Sequence, residues 1–170
     1  MSSRFAAVEP LGPSHQVDRF SCDREQLDRW LRAYAGQGQR RDTARTFVVC
    51  LAGEKSVAGY YTLVASQVEH GEATGAVRRG ASKHFPIPVC LIARLAVDRS
   101  EQGAGLGRSL LLDALRRADR ASRSVAMRAI VVDALDEDAA AFYARFGFRP
   151  AGAEPLTLMV PLESVRQKLA

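Results

Sequence analysis

Apolar positions along this chain recur with two periods, and the switches between them mark out its elements. Arg4 to Val8 is short and partly apolar, and reads as a first strand. Leu27, Trp30, Leu31 and Tyr34 then fall at i, i+3, i+4 and i+7, a stripe that predicts a helix from Asp23 packed on a core. Asp23 with Gln26 three residues on reads as its capping box, and Gly36 and Gly38 as its stop. Trp30 and Tyr34 are read as core side chains, with Arg24, Arg29 and Arg32 on the opposite face. Thr46 to Leu51, a turn at Ala52–Lys55, and Val57 to Val68 predict a hairpin rich in Val, Thr and Tyr. Residues 69–88 carry glycines, Arg78, Arg79, Lys83, Pro86 and Pro88, and read as a long exposed connection with one helical turn. Val89 to Val97 is apolar on both faces except at Arg94, the pattern of a buried central strand. Leu106, Leu110, Leu111 and Leu115 predict a long amphipathic helix ending near Arg123, and Ala129 to Val132 another buried strand. Asp136 to Phe146 reads as a helix with acidic residues at its positive end and Gly147 as its left-handed stop. Phe148 and Leu156 to Val160 supply the last strand. The order β-α-β-β-(loop)-β-α-β-α-β predicts an α/β (mixed α+β) fold, a mixed sheet with helices on its faces.

The 170 residues suit a single domain spanning 1–170. Apolar residues at 47% and charged residues at 25% exclude a disordered chain. No window reaches the roughly 18 apolar residues of a membrane span, and the N-terminus lacks a signal-peptide core, so the expectation is a cytoplasmic protein with no membrane partner. Cys22, Cys50 and Cys90 are odd in number and far apart, which argues against a disulfide framework and against a metal site. Lysine and arginine number 24 against 19 acidic residues, a formal charge of +5, and all but Lys55, Lys83 and Lys168 of these cations are arginines. Arginine excess follows equally from a G+C-rich gene or from an anionic partner such as nucleic acid or a phosphorylated cofactor.

The most informative stretch runs from Arg94 to Arg108, a buried strand that enters a side-chain-poor turn opening a helix. Glycines let a ligand approach the backbone there, and the first-turn amides and the helix dipole favour negative charge. A P-loop would require Gly at position 102, where Gln stands, and Lys where Arg108 stands. The G-x-G-x-x-G spacing of a dinucleotide fold fails from Gly103 and from Gly105 alike. The pattern present is Q-x-x-G-x-G, at Gln102, Gly105 and Gly107.

In that turn the chain resembles the GNAT acetyltransferase superfamily, whose acyl-CoA site is a strand, a Q/R-x-x-G-x-G/A turn and a helix. Ala141 to Phe148, with Tyr143 before Phe146-Gly147-Phe148, resembles its second signature. Phe20-Ser21-Cys22, Leu27 to Leu31, Arg45 to Val48, Gly59-Tyr60-Tyr61, Pro86 to Val89 and Arg94 to Asp98 are similar to the toxin branch of the superfamily. The resemblance implies a GNAT fold, with a central mixed, mostly antiparallel sheet and a splayed acetyl-CoA-binding strand pair. It also implies acetyl transfer from acetyl-CoA to the α-amine of aminoacyl-tRNA, a translation block, a ribbon-helix-helix antitoxin as partner, and a homodimer as one possible state. Two alternatives stay open: a GNAT enzyme acting on a small amine or a protein N-terminus, and a non-catalytic module that senses acyl-CoA.

Carried over by position, the main chain of Leu95, Ala96 and Val97 would meet the pantetheine amides. Gln102, Gly103, Ala104, Gly105, Leu106, Gly107 and Arg108 would hold the diphosphate. The superfamily often has Asn early in the helix where Asp136 and Asp138 stand, so neither is assigned to the site. Tyr143 is the catalytic candidate, because a phenol in reach of the departing sulfur can protonate it. His15, His70 and His84 lie outside both motifs and read as surface or loop residues. A free α-amine has a pKa of about 7.7–8.0, far below the ~10.4 of a lysine, so an α-amine substrate needs no dedicated base. For tRNA contact the candidates are Arg40, Arg41, Arg78, Arg79, Lys83 and Arg94. Arg45 extends the first group, and Arg116, Arg117, Arg120, Arg123 and Arg128 form a further group that serves equally as a solvated helix face. Arg94, charged within an apolar strand, is expected to find an anionic or carbonyl partner.

Overall fold

Side chains branched at Cβ and aromatic rings pack well on a pleated surface, and where they concentrate the chain forms strands. The computed structural model describes residues 4–152 and 154–170. It divides into two units, one of Met1–Val64 with Ala93–Ala114 and one of Ala65–Ile92 with Leu115–Ala170. Among the described residues there are seven strands, one more than the element pattern predicts, in the mixed arrangement with helices that the pattern predicts and mostly antiparallel as the resemblance implies.

In the first unit, β2 (Arg45–Cys50) and β3 (Val57–Val68) form the expected antiparallel hairpin, with Phe47 opposite Tyr61 and a register shift between Val49 and Cys50. The first strand, however, is β1 (Glu9–Pro10), paired with Val48 and Phe47, whereas Phe5 makes only an isolated bridge to Leu51. Two further expectations fail in the helical segment that follows. α1 (Glu25–Arg29) starts after Arg24, and Asp23 sits at φ 66°, outside a capping geometry. The carboxylate that ties down this entry belongs to buried Asp28, which accepts the backbone N–H of Cys22 at 2.8 Å. A π-helical turn (Trp30–Tyr34) and α2 (Ala35–Arg40) continue the segment straight through Gly36 and Gly38. Gly38 is kept for space: a Cβ there would lie 3.3 Å from the Ala44 Cβ. The π turn inserts one residue into the stripe, so Ala35 is buried with Leu31 and Tyr34 is turned out, 44% exposed. Phe20, Leu31, Ala35, Val48 and Tyr60 form this unit's core, against which Leu27 and Trp30 pack.

In the second unit, β4 (Ile87–Val97) runs parallel to β5 (Ala129–Asp133), with registered pairing from Val89 to Ile92. The last strand expected is in fact two, β6 (Arg149–Ala151) and β7 (Glu154–Pro161), each antiparallel to its neighbour in the order β4-β5-β7-β6. The connection 69–88 is not simply exposed. α3 (Gly75–Arg78) forms there, and Ala73 and Val77 anchor it in a core with Ile87, Val89, Ala129, Val131 and Met159. The chain runs through both units in β3, β4 and α4 (Leu106–Ala121), then continues to α5 (Glu137–Ala144) and α6 (Leu162–Leu169). The sequence pattern missed α6, whose Leu162 and Val165 are buried. Among the described residues no helix is long and apolar enough to cross a membrane.

Candidate active site

The glycine-rich turn of the first unit is built around Asp98. Its backbone N–H donates to the Ala58 carbonyl at 2.8 Å. Its carboxylate accepts the N–H of Ser21 at 2.9 Å, the N–H of Ser100 at 3.0 Å and the Ser100 hydroxyl at 2.6 Å. Burial works against the charge on Asp98, but the bonds from Ser100 and Ser21 outweigh it and hold the carboxyl below its usual range. After one 3₁₀ turn (Arg99–Glu101), the Gln102 side chain reaches back and donates from Nε2 to the Val97 carbonyl at 2.9 Å. Gln102 therefore closes the loop on itself, and the Val97 carbonyl expected to face a ligand amide is already engaged. Leu95 and Val97 are half-buried and Ala96 is buried.

Gly103 and Gly105 follow at φ 87° and 84°, a conformation that side chains rarely adopt, and a Cβ on either would meet nothing within 4 Å. α4 then begins at Leu106, with Leu106, Leu110 and Leu111 buried and Arg108 exposed. The first amides of any helix lack intrahelical partners and point along its positive end. Open backbone at both glycines, leading into a 16-residue helix, fits a diphosphate group.

Two acidic residues of this turn brace it without having been assigned a role from the sequence. Asp98 is one. Glu101 is the other, buried, with Oε1 bonded to Arg4 Nη2 at 2.9 Å and Oε2 without a partner among the described residues. Gly59 of β3 lies close to the turn's supports: a Cβ there would stand 2.8 Å from the Leu110 Cδ1 and 3.3 Å from the Ala96 carbonyl.

Tyr143 belongs to the second unit, on α5. Asp136 caps that helix by accepting the N–H of Ala139 at 2.9 Å, and Gly147 at φ 94° ends the turn that follows, as the pattern predicts. The Tyr143 ring is buried edge-to-face against Phe142, at 5.2 Å, and Phe148, at 5.6 Å. Burial pushes its pKa above the usual phenol value, so the hydroxyl keeps its proton at neutral pH.

The candidate cations divide into exposed groups and groups engaged by the fold. Arg40, Arg41, Arg78, Arg79 and Lys83 are exposed. Arg45 is held by Asp42 and by the Gln39 carbonyl, the latter at 2.8 Å. Arg128 serves the fold, donating from Nε to the Val77 carbonyl at 3.1 Å and from its Nη2 to the Arg79 carbonyl. Asp119 draws in Arg166 at 2.8 Å and Arg123 at 3.9 Å, so the further arginine group is partly neutralised. Arg94 corrects the expectation of an anionic or carbonyl partner: its guanidinium stacks on Trp30, 3.9 Å from the ring centroid. His15 lies in a loop, one of the two placements expected for it. Its ring is buried, accepts the Gly12 N–H at 2.9 Å and meets Glu9 Oε1 at 2.7 Å.

Comparison with known proteins completes the picture. The family described as Acetyltransferase (GNAT) domain matches residues 43–150. A tRNA-acetylating toxin of Mycobacterium tuberculosis is 40% identical over 164 residues, 96% of each chain. The solved structure of AtaT complexed with acetyl-methionyl-tRNAfMet superimposes with a TM-score of 0.88 at 30% identity, covering 96% of this chain and 99% of that one. A mutant AtaT toxin bound to the C-terminus of the antitoxin AtaR and to acetyl-CoA gives a TM-score of 0.83 at 30% identity, over 99% of each chain.

Proposed function

The chain belongs to the GNAT acetyltransferase family, and from that premise we propose that it moves an acetyl group from acetyl-CoA to the free α-amine of aminoacyl-tRNA. In the cell it acts as a toxin that blocks translation, works in the cytoplasm, and is neutralised by a ribbon-helix-helix antitoxin. The observation that carries this reading is identity along nearly the whole length to a toxin named for acetylating tRNA.

Acetyl-CoA, when bound, supplies the acetyl group as an activated thioester. Main-chain amides from Gly103 to Arg108 hold its diphosphate, with Arg108 adding a cation, and the strand residues Leu95 to Val97 align its pantetheine arm. Because Gln102 braces the turn through Val97, its role is to keep the glycine backbone in place. The amine nitrogen forms the new C–N bond as the C–S bond breaks, and the proton it sheds passes to solvent. Tyr143 Oη gives its proton to the departing sulfur and is reprotonated from water. A neutral α-amine is plentiful at cellular pH, so the absence of a base in either motif costs little. Arg40, Arg41, Arg78, Arg79 and Lys83 meet tRNA phosphates.

The test is incubation of the protein with acetyl-CoA and total charged tRNA, followed by mass analysis of the aminoacyl ends. N-acetylated ends are expected. Their absence, with acetylation confined to small amines, would replace this reading with that of an ordinary small-molecule acetyltransferase.

A further inference from the structure

The π turn presents a ladder of four side chains. Arg94 lies 3.9 Å over Trp30, Trp30 stacks on Tyr34 with 6.1 Å between centroids and 25° between planes, and Arg29 lies 5.9 Å from the Tyr34 ring. Arg29 Nη2 also touches the Tyr34 hydroxyl at 3.4 Å, a long and loose bond. The inner part of the ladder is rigid. Trp30 Nε1–H donates to Thr62 Oγ1 at 3.2 Å, and Thr62 is bonded to Thr46 at 2.9 Å, both threonines being buried. The outer part is exposed, with Tyr34 44% accessible and Arg29 on the surface.

An unbroken α-helix would bring Tyr34 onto the stripe of Leu27, Trp30 and Leu31, where the core would cover it. The π turn gives that place to Ala35 and sends the Tyr34 ring outward, with the Trp30 ring and the Arg29 guanidinium as its neighbours. Such turns replace the i→i+4 hydrogen bonds of the α-helix with i→i+5 bonds and are frequent at functional sites. Stacked aromatic rings flanked by guanidinium groups are a surface on which unpaired bases stack, while the cations meet the backbone phosphates. Arg94 also neighbours Leu95 in the chain, so the ladder starts beside the strand end proposed to align the coenzyme arm and leads outward from it.

We propose that Arg94, Trp30, Tyr34 and Arg29 form a stacking platform for the unpaired 3′-terminal nucleotides of the tRNA substrate. This rests on the proposed function and adds to it the residues that seat the reacting end. Tyr34 and Arg29 extend the stack outward, and Arg29 yields its loose contact to an entering base or phosphate.

The full-length protein carries a reporter at the platform itself, because Trp30 is its single tryptophan. Titration with a short single-stranded RNA ending in CCA is expected to change Trp30 emission saturably, and blunt duplex RNA of equal length is expected to leave it unchanged. Tyr34→Ala and Arg29→Ala should each weaken binding about fivefold or more, the effect of losing one stacked base, while Tyr34→Phe, which keeps the ring, binds like the parent. The proposal is overturned if the CCA oligonucleotide leaves emission unchanged or if both alanine variants bind as tightly as the parent. It is equally overturned if an acidic peptide alone gives the saturable change, which would make this a protein-docking face. The titration involves no acetyl transfer. A protein that acetylates aminoacyl-tRNA but ignores the oligonucleotide loses only the platform, and one that binds the oligonucleotide without acetylating loses only the proposed function.

Discussion

Tyr143 shows how burial and chemistry combine in one side chain. Surrounded by Phe142 and Phe148, its phenol resists ionisation and remains a proton donor well above neutral pH. Tyr143→Phe keeps this aromatic packing, so the variant should fold and bind acetyl-CoA as before while kcat falls about 100-fold or more. The pH profile gives a second check. The folded-state pKa is raised, so the proton is lost only above the ordinary phenol range, and on an amide-linked aminoacyl-RNA that resists alkali kcat should rise with the free amine near pH ~8 and stay level to about pH 10. An alkaline fall near pH 8 that disappears in Tyr143→Phe would contradict a protonated donor. At this scale the place of Tyr143 on a helix ahead of Phe146-Gly147-Phe148 was legible from the sequence, while its catalytic role is what the Tyr143→Phe variant tests. The partner of Arg94 was not, because a cation can be satisfied by an indole face as well as by a carboxylate, and only the fold brings Trp30 over it.

The glycine turn is an element whose conformation depends on the absence of side chains. Gly105→Ala would force a left-handed backbone on a residue with a Cβ, at a cost of about 1–2 kcal/mol. A loss of that size lowers Tm by a few degrees in a chain of this length. The added methyl group would stand in the open space proposed for the coenzyme diphosphate, so under that proposal calorimetry should show acetyl-CoA affinity reduced tenfold or more, about 1.4 kcal/mol. Gly59→Ala tests the support beneath the turn. Its new Cβ would crowd Leu110 and the Ala96 carbonyl, and overpacking of this kind costs about 1–3 kcal/mol, read from the denaturant midpoint. Leu110→Ala introduced together with Gly59→Ala should cost less than the two changes added separately, since the cavity and the methyl group occupy the same space. Equal, additive losses would show that the two positions do not touch. Strands and glycines of this turn were legible from periodicity and spacing. The braces at Asp98 and Glu101 were not, because each works through partners distant in sequence, Ser21 and Arg4. The π turn was hidden for another reason: one inserted residue shifts the register of a helical stripe without altering its composition.

Across the whole molecule, net charge is the property that most affects substrate encounter. A formal charge of +5 carried mainly by arginine favours polyanions, and clustered exposed cations decide where they bind. Reversing Arg78 and Arg79 to Glu should raise KM for aminoacyl-tRNA and leave acetyl-CoA affinity unchanged. The logarithmic salt dependence of tRNA binding should flatten by about 0.7–0.9 for each phosphate that is no longer neutralised. Unaltered tRNA kinetics would reassign both arginines to a solvated surface. The order and type of most elements were readable from the sequence, because a mixed sheet with helices follows from alternating buried strands and amphipathic segments. The helical turn expected within 69–88 is present as α3, whereas the division into β6 and β7 and the helix α6 escaped, β6 being only three residues long and α6 having no flanking motif to mark it.

The central claim is acetyl transfer to an aminoacyl end, and labelled acetyl-CoA measures it directly. Charged tRNA and the same tRNA stripped of its amino acid by mild alkali are each incubated with the protein. Label should appear on the charged RNA alone and nearly vanish with Tyr143→Phe. Equal labelling of stripped RNA, or no labelling of either, would contradict the account.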